Sequence, residues 1–282
     1  MRHVKTIAAT VVGFAFLIAV FPAAVPMARH FASAWWNDPE RLPALPENPQ
    51  VHYQEGASEQ ARMVAGLLPA ATVRVEEIHG RRFAYPVTVG VYVTPEAFAA
   101  ANQLSNSGAS GVHFLRHVIL SPALFSLQRQ RLPFILTHEL SHAHLQSWIS
   151  VLAFYRLPNW FKEGLAVMIS SGGGAEGVSE LQARDAIRRG DHIAVQSAGS
   201  LLDLAALRFV QPPEKPETAA RIQMAYRQAG LFVAFLRDTD PVGFARMMNA
   251  VLDGRPFAEA VTTGYETDLH TLWLRFVRQN EH

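Results

Sequence analysis

Thr137-His138-Glu139-Leu140-Ser141-His142-Ala143-His144, or THELSHAH, is the run from which the rest of this chain can be read. It lies within LPFILTHELSHAHLQSW, residues 132–148. There Pro133 suits a first helical turn, and Leu132, Leu136, Leu140 and Ala143 recur as an apolar stripe. Residues four apart on a helix are separated by about 400°, so His138 and His142 project from one face about 40° apart. Two imidazoles placed in this way can share a single Zn²⁺. Glu139 lies about 100° round from His138, too far to ligate easily and well placed to touch a water on the metal. His144 is two residues, about 200°, from His142 and cannot reach the same ion from one helix; it reads as a supporting or surface residue. Chance supplies H-E-x-x-H in roughly 3% of shuffled chains, and the competing reading is a solvated helix with incidental histidines. A third donor therefore matters.

Sites of this kind take one more protein ligand and leave the fourth position to water. Downstream, PNWFKEGLA (158–166) opens the next helix and carries Glu163, with 20 residues between it and His142, which leaves room for a loop and an antiparallel return. Gly164, with no side chain, is expected to let that helix approach the metal helix closely. HELSH and NWFKEGLA together resemble the gluzincin metallopeptidases, and more closely the bacterial peptidase MA-like group with its W-x-x-E-G-x-A signature. The likeness is specific over Leu132 to Met168 and a loose match of element order over Val51 to Asn280. It implies a zincin-like fold, one Zn²⁺ held by His138, His142 and Glu163, and Glu139 as general base in the hydrolysis of peptide bonds.

The same resemblance points to further residues. Aminopeptidase-type gluzincins place a Tyr well downstream on a helix, which suggests Tyr226, 63 residues beyond Glu163, as a donor to the developing oxyanion. A second reading stays open, because Ile222, Ala225, Tyr226, Ala229, Val233 and Leu236 form one helical stripe in which Tyr226 is simply core. Gluzincins hold the substrate backbone against an edge strand, here expected at Gly111-Val112-His113-Phe114, by β-addition of the peptide. His113 and His117 read as surface or substrate-side residues rather than as ligands. Residues 105–121 lack the G-x-M-E-N motif of the clan's aminopeptidases, which favours an endopeptidase. A metzincin would need Gly at 145 and His at 148, where this chain has Leu145 and Trp148. The alternative of a different class is a catalytically silent zincin scaffold acting as a binding module at the membrane. Such scaffolds usually lose the base or a ligand, and all four positions are intact here.

Outward from this centre the pattern changes from strands to helices. Ser58 to Pro69 reads as helix and Thr72 to Glu77 alternates like a strand. Val87 to Val93 (VTVGVYV) is β-branched and strand-like, and a helix follows from Thr94 with Pro95 and Glu96 in its first turn. Residues 102–110 form a polar loop and 111–120 a hairpin or edge strand. Beyond Ser121 helices are expected near 130–148, 158–170, 178–189, 199–208, 218–238, 241–252, 256–263 and 267–279. Strands first and helices second indicates an α+β fold, a small N-terminal sheet with a mostly helical C-terminal part. QPPEKPE (211–217) reads as a surface connection. Gly172 to Gly177 satisfies G-x-G-x-x-G but follows a helix, so it reads as a mobile loop near the cleft and no nucleotide is expected.

The 282 residues include no cysteine, which excludes disulfides, iron–sulfur clusters and Cys-ligated zinc. The hydrophobic fraction of 49% excludes a disordered chain, and the formal charge of +1 gives no footprint for nucleic acid. That charge is divided unevenly. Residues 1–34 hold Arg2, Lys5 and Arg29 and no acid, whereas the remainder has 22 basic and 24 acidic residues, net −2. Thr6 to Ala28 carries no charge and reads as a membrane-targeting leader, with Pro22 and Pro26 near its end and an A-x-A signal at Ala32-Ser33-Ala34. The expectation is residues 1–34 as signal anchor or signal peptide, 35–50 as a Pro-rich linker and 51–282 as the metallopeptidase domain. The domain is then either held at the membrane by one pass, facing the extracytoplasmic or periplasmic side, or exported. Its expected partners are a peptide or protein substrate and the membrane.

Overall fold

The computed structural model describes residues 33, 35–102, 108–114, 116–199 and 219–280. The leader, the loop at 103–107, the helix expected at 199–208 and the connection at 211–217 lie outside the described residues, apart from Ser33 and Gly199. Among the described residues no helix is long and apolar enough to cross a membrane.

The fold is α+β and mostly helical, with one mixed sheet of β1 (Ala44–Leu45), β2 (Asn48–Tyr53), β3 (Thr88–Val91), β4 (Gly111–Phe114) and β5 (His117–Leu120). The strand order is β1-β2-β3-β5-β4, which makes β4 an edge. β3 runs parallel to both neighbours, while β1 and β4 add antiparallel flanks. Side chains alternate across the strands, so Val89, Val91, Val118 and Leu120 enter the main core, and Val112 and Ile119 enter a smaller cluster with Phe98 and Ala101.

The stretch 35–50 is not a spacer. Asp38 caps a 3-10 turn at Pro39–Arg41, and β1 and the first part of β2 follow directly. Pro49 precedes Val51, where β2 begins to pair with β3, so its missing N–H costs no bond to that neighbour. Pro39 lies flush on the sheet because Gly90 of β3 has no side chain; a methyl there would sit 2.9 Å from Pro39 Cγ. Trp35 and Trp36 remain exposed, with the Arg41 guanidinium 5.3 Å from the Trp36 ring centroid.

The β2–β3 connection is a single 22-residue helix, α1 (Ser58–His79), which runs through Pro69 and includes Thr72 to Glu77. Ala61, Val64, Leu68, Ala71, Val75 and His79 are its buried positions, and their spacing is helical. The short alternation at 72–77 is subordinate to that longer period. Pro69 is exposed, and its missing N–H leaves the Ala65 carbonyl without the usual helical donor. Next come α2 (Pro95–Ala101), α3 (Leu132–Trp148), α4 (Val151–Arg156), α5 (Asn159–Ile169), α6 (Glu180–Arg188), α7 (Ala219–Thr239), α8 (Pro241–Leu252), α9 (Phe257–Tyr265) and α10 (Leu269–Gln279). α4 has no counterpart in the sequence reading, since six residues are too few to show a helical period.

α3 is buried on nearly every side, from Thr137 to Ser147 without interruption. Its Ser141 and His144 join it to the end of α1 through a chain of hydrogen bonds. His144 Nε2 donates to the Arg81 carbonyl at 2.9 Å, which leaves its Nδ1 to accept from His79 Nδ1 at 2.7 Å. His79 Nε2 then accepts from Ser141 Oγ at 3.3 Å. One neutral tautomer of each ring satisfies every position. Burial, and the proximity of His144 and His142, hold His79 well below the usual histidine range. The unfolded chain therefore takes up a proton near pH 6.5, the ordinary histidine value, while the folded chain does not. This contribution to stability is complete above that pH and is lost progressively below it. Urea unfolding of metal-free protein from about pH 7 to about pH 5 should show wild type weakening more steeply than His79→Leu. Equal slopes would remove the pair from the account.

Candidate metal centre

Three side chains from two helices converge beside β4. His138 and His142 come from one face of α3, and Glu163 comes from the second turn of α5. His138 Nε2 lies 3.2 Å from His142 Nε2 and 3.3 Å from Glu163 Oε2. His142 Nε2 lies 3.6 Å from the same carboxylate oxygen. His138 Nδ1 must donate to the Gly173 carbonyl at 2.9 Å, because a carbonyl only accepts. In the neutral ring the Nε2 lone pair then faces the other two donors. These three buried or half-buried groups can hold one metal ion. The separations suit about 2.0–2.2 Å bonds to a single cation. His142 Nδ1 is buried and has no hydrogen-bond partner.

Glu139 is brought to the same place without joining the donor set. Its carboxylate accepts the backbone N–H of His113, and Gly111 is the residue that lets the strand come so near. A methyl on Gly111 would sit 2.9 Å from Glu139 Cγ. Burial raises the Glu139 pKa, against the opposing pull of His138 and His142. The residues expected to bind substrate divide by the pleat. Gly111 and His113 face α3, with the His113 ring centroid 6.1 Å from that of His142, whereas Val112 points into the smaller core cluster. His117 is neither a surface nor a substrate-side residue. It is buried on the far face of the sheet, in the same register class as Ile119.

Tyr226 of α7 reaches the centre because two helices touch. A methyl on Gly164 would lie 2.6 Å from the Ala229 carbonyl oxygen, and one on Gly230 would lie 2.7 Å from Val167 Cγ1. The close approach expected of Gly164 is therefore to α7, not to the metal helix. One turn before Gly230, the Tyr226 ring lies nearly parallel to that of His138, 15° between planes with centroids 6.3 Å apart. The side chain also packs against the main core. Burial, then the charges of Glu163 and Glu139, keep its phenol protonated well above the usual range.

The glycine run at 172–177 is close to the centre and is pinned. Gly172 and Gly174 have φ of +103° and +84°, which turn the chain so that Gly173 presents its carbonyl to His138. Arg227 ties the loop down with bonds to Ala175 O at 2.9 Å and Val178 O at 2.8 Å, and Arg131 pairs with Glu176 at 3.0 Å. Lys162 also escaped the sequence reading. It is buried beside Glu163 with Nζ 4.6 Å from the Phe154 ring centroid, and burial pushes its pKa down to about 8. No periodicity marks a lysine in such a place, and the Gly173 carbonyl leaves no trace in side-chain identity.

No family model matches the chain, and the search of curated proteins returns no significant match. The crossing at Gly164 yields a direct test. Gly164→Ala should lower stability by about 1–3 kcal/mol, the usual penalty for overpacking. Gly66→Ala, an exposed position on α1 with open space around the added methyl, should raise it by about 0.5–1 kcal/mol. Denaturant midpoints of the two variants check both signs.

Proposed function

We propose that this protein is a zinc metallopeptidase of the gluzincin type, an endopeptidase whose catalytic part sits at or beyond the membrane. The observation that carries the reading is the separation of roles at the centre. Three donors meet around one point, and a fourth carboxylate, Glu139, is held beside them by the His113 amide. Two neutral imidazoles and one carboxylate fit Zn²⁺ in an open site. When bound there, Zn²⁺ supplies a Lewis acid that polarises a peptide carbonyl and acidifies water.

The chain's own residues supply the rest. Glu139 takes the proton from the attacking water and returns it to the leaving amine, and its raised pKa brings it closer to neutrality for both transfers. Tyr226 stays protonated and can donate a hydrogen bond to the carbonyl oxygen as negative charge develops. The Gly173 carbonyl fixes the tautomer of His138, a support that metal-bound histidines regularly need. β4 is an edge, so an extended peptide can add to its outer side. The His113 amide is engaged by Glu139. The absence of G-x-M-E-N from 105–121 supports internal cleavage, and the uncharged leader supports a membrane location.

Full-length protein in detergent, loaded with zinc and assayed on casein or a peptide library, tests this reading. Glu139→Gln should retain zinc and lose about 10²- to 10⁴-fold in rate. A chain that binds no zinc, or a Gln variant that cleaves like wild type, would sink it.

A further inference from the structure

We propose that Asp38, Glu40 and His117 form a second metal site, for a divalent transition cation, that fastens the 3-10 turn at Pro39–Arg41 to β5. The site lies across the sheet from α3, since His117 shares the β5 face that carries Ile119 and the smaller core cluster. It does not depend on the peptidase reading.

His117 is only 5% exposed, and its Nε2 is buried with no hydrogen-bond partner. That atom is directed at two carboxylates, 3.7 Å from Asp38 Oδ1 and 3.6 Å from Glu40 Oε1. Both distances are too long for a hydrogen bond and match the separation of two ligands bound to one ion at about 2.1–2.2 Å. The three donor atoms lie within 4.8 Å of one another. A buried polar atom without a partner is unfavourable, and a cation between the three would satisfy it together with both carboxylates.

The surroundings hold the donors in place. Asp38 Oδ1 accepts the Glu40 backbone N–H at 2.8 Å, which fixes that carboxylate at the head of the turn. Glu40 Oε1 accepts from Thr88 Oγ1 at 3.4 Å. Arg116 is a competitor, with its guanidinium 2.7 Å from Glu40, but it is half exposed and balances only one of the two negative charges. One net negative charge and a lone pair on a ring that burial keeps neutral remain for the ion. One imidazole nitrogen with two carboxylate oxygens suits Zn²⁺, Co²⁺ or Mn²⁺ better than the all-oxygen preference of Ca²⁺.

Zinc counted per chain by mass spectrometry, on full-length protein stripped and then reloaded in detergent, tests the proposal. Wild type should hold one zinc more than His117→Gln and one more than Asp38→Asn. The Asn variant can still cap the turn, so its loss of zinc would not reflect unfolding. Glu163→Gln, which disables the first centre, should still show a zinc-dependent rise in Tm, and Glu163→Gln with His117→Gln should show none. Equal zinc in wild type and both second-site variants overturns the proposal, whatever the first centre does. A Tm that rises only as pH falls, without any response to zinc, also overturns it by making His117 a proton-taking partner of the carboxylates.

Discussion

Burial of α3 is the constraint from which the rest of the structure follows. This helix carries Thr137, His138, Glu139, Ser141, His142, His144, Gln146 and Ser147, all removed from water. Buried polar groups must find partners inside the protein, and each partner here fixes another element. His138 calls for the Gly173 carbonyl and so determines the course of the glycine loop. Glu139 takes the His113 amide and so holds β4 in place. Ser141 and His144 engage His79 and the Arg81 carbonyl, which joins the end of α1 to the middle of α3. The side chains of His138 and His142 meet Glu163 in a group that could hold one metal ion.

The helical half completes the centre by close approach. Gly164 and Gly230 leave the α5–α7 crossing without side chains, and an extra methyl at either would collide with the facing helix. Behind the crossing, Trp160, Phe161, Phe232, Phe257, Trp273 and Phe276 form a block of contacting rings that fills the space between α5, α7, α9 and α10. Rigid packing of this kind lets one residue of α7, Tyr226, be presented to His138 from a helix otherwise committed to the core. The sheet performs the complementary task. Its alternation directs Gly111 and His113 to one centre and His117 to the opposite face.

Much of this is legible in the sequence. The helices expected near 130–148, 218–238 and 241–252 are found at Leu132–Trp148, Ala219–Thr239 and Pro241–Leu252, and α2 follows from Thr94 and Pro95 at its start. Where local pattern misled, a longer-range demand prevailed. Thr72 to Glu77 alternates, yet the helical spacing of Leu68, Ala71, Val75 and His79 keeps it in α1. Four prolines suggested a linker at 35–50, yet turns and a short edge hairpin accommodate prolines equally well. Gly164 does mark a close approach, but its partner is α7 and not α3.

The sequence by itself determined the two imidazoles on one helical face, because their relation is set by the 3.6-residue turn and needs no other part of the chain. It also placed the carboxylate of Glu163 on the next long helix and divided the chain into strands first and helices later. Tertiary structure alone decided which backbone groups support those side chains, because the Gly173 carbonyl and the His113 amide are present in every residue and differ only in position. It likewise decided the environment of Lys162 and His117, since burial is a property of the packed fold. The shared face of the two imidazoles was written in local geometry, and the surroundings that give it chemical character came from contacts between distant parts of the chain.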